Sequence, residues 1–113
     1  MDRLEEYRSI VQQILTEYAS VPFSHGEIDS QLIFDKERDR YQITNVGWDG
    51  DRRVHSCSLH LDIINGQVWV QQNNTELAIG HELVKMGIPK EDIVLGFQAP
   101  YLRQYTEFGV ANG

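Results

Sequence analysis

The stretch Val54–Val70, VHSCSLHLDIINGQVWV, decides the fold. In it Cys57, Leu59, Leu61 and Ile63 alternate with Ser56, Ser58, His60 and Asp62, the period of a strand with one buried face. The alternation breaks at Asn65-Gly66, a dipeptide suited to a type I′ turn because both central positions need positive φ. A two-residue loop there sets Ile64 opposite Gln67, so Ile63 meets Val68, Asp62 meets Trp69 and Leu61 meets Val70. The apolar faces of the two strands coincide in that register, and a slip of one residue would turn them apart.

Working outward, Tyr41–Trp48 reads as the preceding strand, ending at Asp49-Gly50. A three-residue or bulged connection through Asp49-Gly50-Asp51 is expected, since it pairs Ile43 with Cys57 and Tyr41 with Leu59. Leu32 and Phe34 mark a further strand before the charged turn Asp35–Asp39. At the N-terminus Leu4, Tyr7, Val11, Ile14, Leu15 and Tyr18 recur at spacings of three and four, one face of a helix. Asp2 is its expected N-cap, with Glu5 in capping-box position, and Pro22 stops it near Ser20. Its apolar stripe is read as packing on the chain's own sheet rather than as a dimer seam, although a homo-oligomer stays open. After the hairpin, Asn74 or Thr75 caps a helix from about Glu76 to Met86. Gly87 takes the left-handed position after it, with Ile88 folding back on Leu83. Pro89–Asp92 reads as one tight turn, Ile93–Phe97 as a short apolar segment, and Pro100–Tyr105 as a last short helical element. The fold class expected is α+β, one domain over 1–113. It comprises an N-terminal helix, a four-stranded antiparallel meander, then a helix and short C-terminal elements, with the helices packed on one sheet face.

Charge narrows the function. The chain has 17 acidic and 10 basic residues, a formal net charge of −7. That balance opposes strong unaided binding to DNA, whose non-specific affinity comes from neutralising phosphates with Lys and Arg. Lys36, Arg38 and Arg40 alternate with Asp35, Glu37 and Asp39, and Arg52 and Arg53 sit beside Asp49 and Asp51, so both clusters read as self-paired surface. The lone Cys57 has no partner for an internal disulfide, which suits a reducing cytoplasm. No stretch approaches the roughly 20 apolar residues of a membrane helix.

The chemistry-bearing residues form no convincing catalytic set. His55-x-Cys57-x-x-His60 looks like a metal motif, but strand alternation puts His55 and Cys57 on one face and His60 on the other. No glycine pattern makes a phosphate loop, and His81-Glu82 lacks the second His of a zinc protease helix. His60 beside Asp62 is a conceivable acid–base pair, read first as a polar pair on a sheet surface. The candidates for partner binding are Trp48 with Arg52 and Arg53 at a hairpin tip, and Trp69 with His60 and Asp62 on the polar face of the central hairpin. No cofactor and no metal are expected.

Four segments together resemble one family. They are NVGWDG with the following RRVH, the hairpin HLDI…NGQVWVQ, ELVKMGIPKEDIVLGF, and PYLRQYTEFGVA. They are similar to the XisI-like controlling factors for excision of the fdxN element in cyanobacteria, and the likeness runs over nearly the whole chain. The resemblance implies an accessory factor in site-specific excision of a DNA element, working with a XisH-like partner and a recombinase; the residues themselves give no reason to expect an enzyme. The alternative is a binding or inhibitory subunit of a nuclease-like companion, its acidic surface covering a basic cleft.

Overall fold

The computed structural model describes residues 2–22 and 26–112. Asp2 caps the first helix, its carboxylate accepting from the Leu4 N–H at 3.1 Å. Helix α1 runs Arg3–Ala19 and buries Tyr7, Ile10, Val11, Ile14 and Leu15 on its sheet-facing side. The reciprocal half of the capping box does not form, because Glu5 bonds the guanidinium of Arg8 one turn on.

Strands β1 (Glu27–Asp35), β2 (Arg40–Asp49), β3 (Arg52–Ile64) and β4 (Gln67–Asn73) follow as an antiparallel meander. In the β1–β2 turn the Asp35 carboxylate accepts from the N–H groups of Glu37 and Arg38, at 3.1 and 3.0 Å. The β3–β4 hairpin has the expected register, Ile64 on Gln67 through Leu61 on Val70, with Asn65 and Gly66 at φ 50° and 79°. Its inner face carries Leu59, Leu61, Val68 and Val70, each fully buried against Val11 and Leu15 of α1 and Leu83 farther along the chain.

The connection between β2 and β3 differs from expectation. Asp49 pairs with Arg52, so the loop is the two residues Gly50-Asp51, with Gly50 at φ 62°. The extra residue sits inside β3: Thr44 pairs with Cys57 and Ile43 with Leu59, leaving Ser58 as a bulge. A bulge reverses the alternation beyond it. Cys57 therefore leaves the core face and joins Thr44 on the other side of the sheet. Ser58 turns inward instead and accepts a hydrogen bond from the Asn45 amide. A second irregularity falls in β4, where Leu61 pairs with Val70 but His60 with Gln72.

Among the described residues the sheet has five strands rather than four, in the order β1-β2-β3-β4-β5. Strand β5 (Ile93–Leu95) lies parallel to β4, Ile93 beside Val68 and Leu95 beside Val70. Parallel neighbours need a long crossover, and residues 74–92 supply it. Within that crossover, helix α2 spans Ile79–Lys85, starting later than expected. Asn73 and Thr75 form a local turn instead of a cap: the Asn73 side chain accepts from the Thr75 N–H at 3.0 Å and donates to the Leu77 carbonyl at 2.8 Å. The helix end is as expected. Gly87 has φ 114°, its N–H reaches the Val84 carbonyl, and the Ile88 N–H reaches that of Leu83, both within 3.1 Å. Pro89 leads into a 3-10 turn, Lys90–Asp92, ahead of β5.

Helices α1 and α2 share one core with the inner sheet face. The last 3-10 segment, Pro100–Tyr105, does not join them. It packs on the opposite face, where the Arg103 guanidinium lies 4.9 Å above the ring of Trp69. The expected packing of the helices on one sheet face thus holds for α1 and α2, and the short 3-10 segment lies on the other face.

Candidate interaction surface

The face of the sheet away from α1 carries most of the side chains with chemical potential. Strand alternation along β2 places Gln42, Thr44, Val46 and Trp48 there, opposite buried Tyr41, Ile43 and Asn45. Beyond the Ser58 bulge, β3 adds Cys57, His55 and Arg53. On the near side of the bulge it adds His60 and Asp62.

Trp48 is 48% exposed, and the Arg53 guanidinium stacks 5.3 Å from its ring centre. The same guanidinium donates to the Gly47 carbonyl at 3.4 Å. This fixes a flat aromatic–cation pair near the open end of the sheet, held by a regular two-strand pairing of Trp48 with Arg53. Arg52 is not part of it. It pairs with Asp49, its guanidinium 3.2 Å from that carboxylate, on the other side of the ribbon.

His60 and Asp62 do meet, Nε2 to Oδ1 at 2.8 Å. Asp62 is only 5% exposed, and its second oxygen accepts from Gln71 at 3.1 Å with Arg40 at 3.8 Å. A buried carboxylate with three donors around it is a satisfied structural group that ties β2, β3 and β4 together. Trp69 is opposite Asp62, as the register required. Its ring is covered by Arg103, whose guanidinium also donates to the Gly96 and Gln98 carbonyls at 3.1 Å. Among the described residues the buried indole N–H of Trp69 has no acceptor. Trp69 is thus an anchor for the C-terminal segment rather than an open apolar spot.

The bulge removes the sequence argument against a shared site for Cys57 and His60, because both now lie on one face. Among the described residues, even so, no three metal-binding side chains converge. The Cys57 thiol donates to the Leu59 carbonyl at 3.3 Å, and burial pushes its pKa up, which keeps it protonated and a poor nucleophile.

The arginines of the two basic clusters are largely spent within the chain. Arg38 lies 3.0 Å from Asp35, Arg52 on Asp49, and Arg40 beside Asp62. Sequence reasoning missed one feature of the surface. Phe97, Tyr101, Leu102 and Tyr105 are 52%, 71%, 38% and 78% exposed along one segment beside the open face. Pro100–Tyr105 reads from the sequence as a short helical element, but its 3-10 turns let the inward Arg103 hold the segment while Tyr101 and Tyr105 stay exposed. The surface hollows lined by Glu5, Arg8 and Lys36, and by Ile14, Tyr18, Leu77 and Met86, belong to the helical side and contain none of the six candidate residues.

Residues 1–110 match the family model described as XisI protein. The chain is 50% identical to a XisI-like protein from Anabaena variabilis ATCC 29413, whose crystal structure superposes with a TM-score of 0.90 over 97% of this chain and 100% of that one. It is 40% identical to a second protein from the same organism, the fdxN element excision controlling factor XisI. Here the TM-score is 0.83, again over 97% of this chain and 100% of the other. No curated protein sequence matches the chain.

Proposed function

Since the chain belongs to the XisI family, we propose that it is an accessory controlling factor for site-specific excision of an fdxN-type DNA element. It acts by protein contacts with a XisH-like companion and, through it, a recombinase. The observation that carries this reading is its likeness, over nearly its full length, to a protein identified as the fdxN element excision controlling factor XisI. Three features of the molecule support a role through protein contacts. The net charge is −7 and several arginines are tied to neighbouring carboxylates, which leaves little cationic surface for phosphate. The stacked Trp48–Arg53 pair and the exposed aromatics of residues 97–105 are the residue types that dominate protein interfaces. His60 and Asp62 serve the sheet, and among the described residues no nucleophile, base and orienting group come together.

The acidic balance also favours a second reading, in which the chain caps the basic cleft of a nuclease-like companion. Co-expression with the XisH-like neighbour, followed by size-exclusion chromatography with light scattering, tests the shared premise. A stable mixed complex is expected. Two separate species, or sub-micromolar binding of duplex DNA by this chain alone at physiological salt, would overturn the proposal.

A further inference from the structure

The sheet has two edges, and the chain treats them differently. At β5 its own C-terminus closes the edge: the Gly109 N–H donates to the Ile93 carbonyl at 2.8 Å, and Gln67 holds Val110 and Asn112. At β1 nothing comparable occurs among the described residues. All nine residues pair with β2 without a bulge, and the strand contains no Pro and no Lys. Among the described residues no backbone group of β1 is hydrogen-bonded beyond β2. Such an edge is a template for another strand. Its exposed apolar side chains are Leu32 and Ile33, 39% and 43% accessible on opposite faces, with Phe34 next to them.

We propose that β1 docks on β1 of a second copy, antiparallel about a two-fold axis through Ile33, so that one sheet continues through both chains. The symmetry limits the choices. A two-fold perpendicular to the sheet keeps each face on its own side, so the register must place some residue opposite itself. Centring on Asp29 opposes that carboxylate to itself, on Gln31 it opposes Glu27 to Asp35, and on Leu32 it opposes Asp29 to Asp35. Like charges directly opposite are destabilising. Centring on Ser30 avoids this but sets Ile33 against Glu27. Centring on Ile33 joins Ile33 to itself, Leu32 to Phe34 and Asp35 to Gln31. It covers the exposed apolar residues of the edge with one another and opposes no like charges.

The test is light scattering on the intact chain over a micromolar dilution series. The mass expected at the upper end is twice the 13.1 kDa of one chain. Ile33→Lys, at a side chain outside the core, should weaken association several-fold or more, as opposed like charges do, while leaving the melting temperature unchanged at concentrations where both proteins are monomers. In a Cys57→Ser background, Ile33→Cys should cross-link under mild oxidation and Ser30→Cys should not, because only the central residue meets its own copy. A monomer throughout the series, a dimer indifferent to Ile33→Lys, or cross-linking confined to Ser30→Cys would each overturn the proposal.

Discussion

Gly66 stands at φ 79° with no heavy atom within 4 Å of the place a Cβ would occupy. A side chain there has room but the wrong backbone, so Gly66→Val should cost more than about 1 kcal/mol from turn strain alone. Equal melting temperatures for the two proteins would refute the role given to the turn. Gly47 is the opposite case, since a Cβ there would meet the Glu27 carbonyl oxygen at 2.0 Å. That contact is with backbone and so would separate β1 from β2. Asp39 allows a test by pH. It sits at φ 56°, and its carboxylate accepts from Arg8 at 2.7 Å and from the Tyr41 hydroxyl at 3.0 Å. The Arg8 hydrogen bond holds the Asp39 carboxyl below its ordinary value against the effect of burial, and burial with this neighbour pushes Tyr41 up to about 12. A carboxyl depressed in the folded state stabilises above its unfolded pKa, about 3.9, and loses that contribution as pH falls through the folded value. Asparagine tolerates the left-handed backbone, so Asp39→Asn removes the charge with little strain. Thermal melts should show the widest gap between the two proteins at neutral pH, closing below about pH 4. A gap independent of pH would mean that the ion pair contributes nothing.

Among the elements, the C-terminal tail is held in part by one buried side chain. Gln67 is 1% exposed; its amide donates to the Glu91 and Val110 carbonyls at 3.0 and 2.8 Å and accepts from the Asn112 N–H at 2.8 Å. Gln67→Leu leaves those groups without partners, a loss of about 1–3 kcal/mol. Amide exchange should accelerate over residues 109–112 while β3 stays protected; unchanged exchange there would assign the tail's order to other contacts. The elements also mark what the sequence could tell. The central hairpin was legible because Asn65-Gly66 sets the register and two apolar faces check it. The end of α2 was legible because Gly87, Ile88 and Leu83 form a local pattern. The Ser58 bulge was not, since a serine shifted within a polar–apolar alternation looks the same as a longer turn, and the error moved Cys57 to the wrong face. Strand β5 was hidden for another reason: three apolar residues have no periodicity, and their partner lies across a helix. Of the candidate site, the Asp62–Trp69 pairing followed from the register, but the cover over Trp69 comes from Arg103, far along the chain.

For the whole molecule, the two proposed roles differ in which surface meets the companion. The chain measures 46 × 33 × 24 Å, longer than it is thick, and Trp48 and Arg53 lie together on the face away from the helices. If companion binding uses this pair, Trp48→Ala and Arg53→Ala should each weaken the complex by about tenfold or more, as truncated aromatic and arginine anchors do. The melting temperature of the free chain should hardly change, because Trp48 is half exposed and outside the core. If the chain instead covers a basic cleft, the same substitutions should matter little. Affinity should then fall steeply with salt and with neutralisation of acidic surface residues. The structure says which of these are fair probes. Asp92 is not one, since it accepts from Arg3 at 2.8 Å and from the Tyr7 hydroxyl, and Asp92→Asn would disturb the seat of α1. Glu82 is paired with Lys85 at 3.1 Å. Glu76 and Glu91 are exposed on the surface, outside the ion pairs of α2 and the C-terminal segment. Glu76→Gln with Glu91→Gln therefore forms the clean acidic probe. Its effect on the dissociation constant, set beside that of Trp48→Ala and Arg53→Ala at two salt concentrations, decides between the roles. Loss confined to the aromatic–cation pair assigns the companion to the open sheet face, and loss confined to the glutamates assigns it to the acidic side.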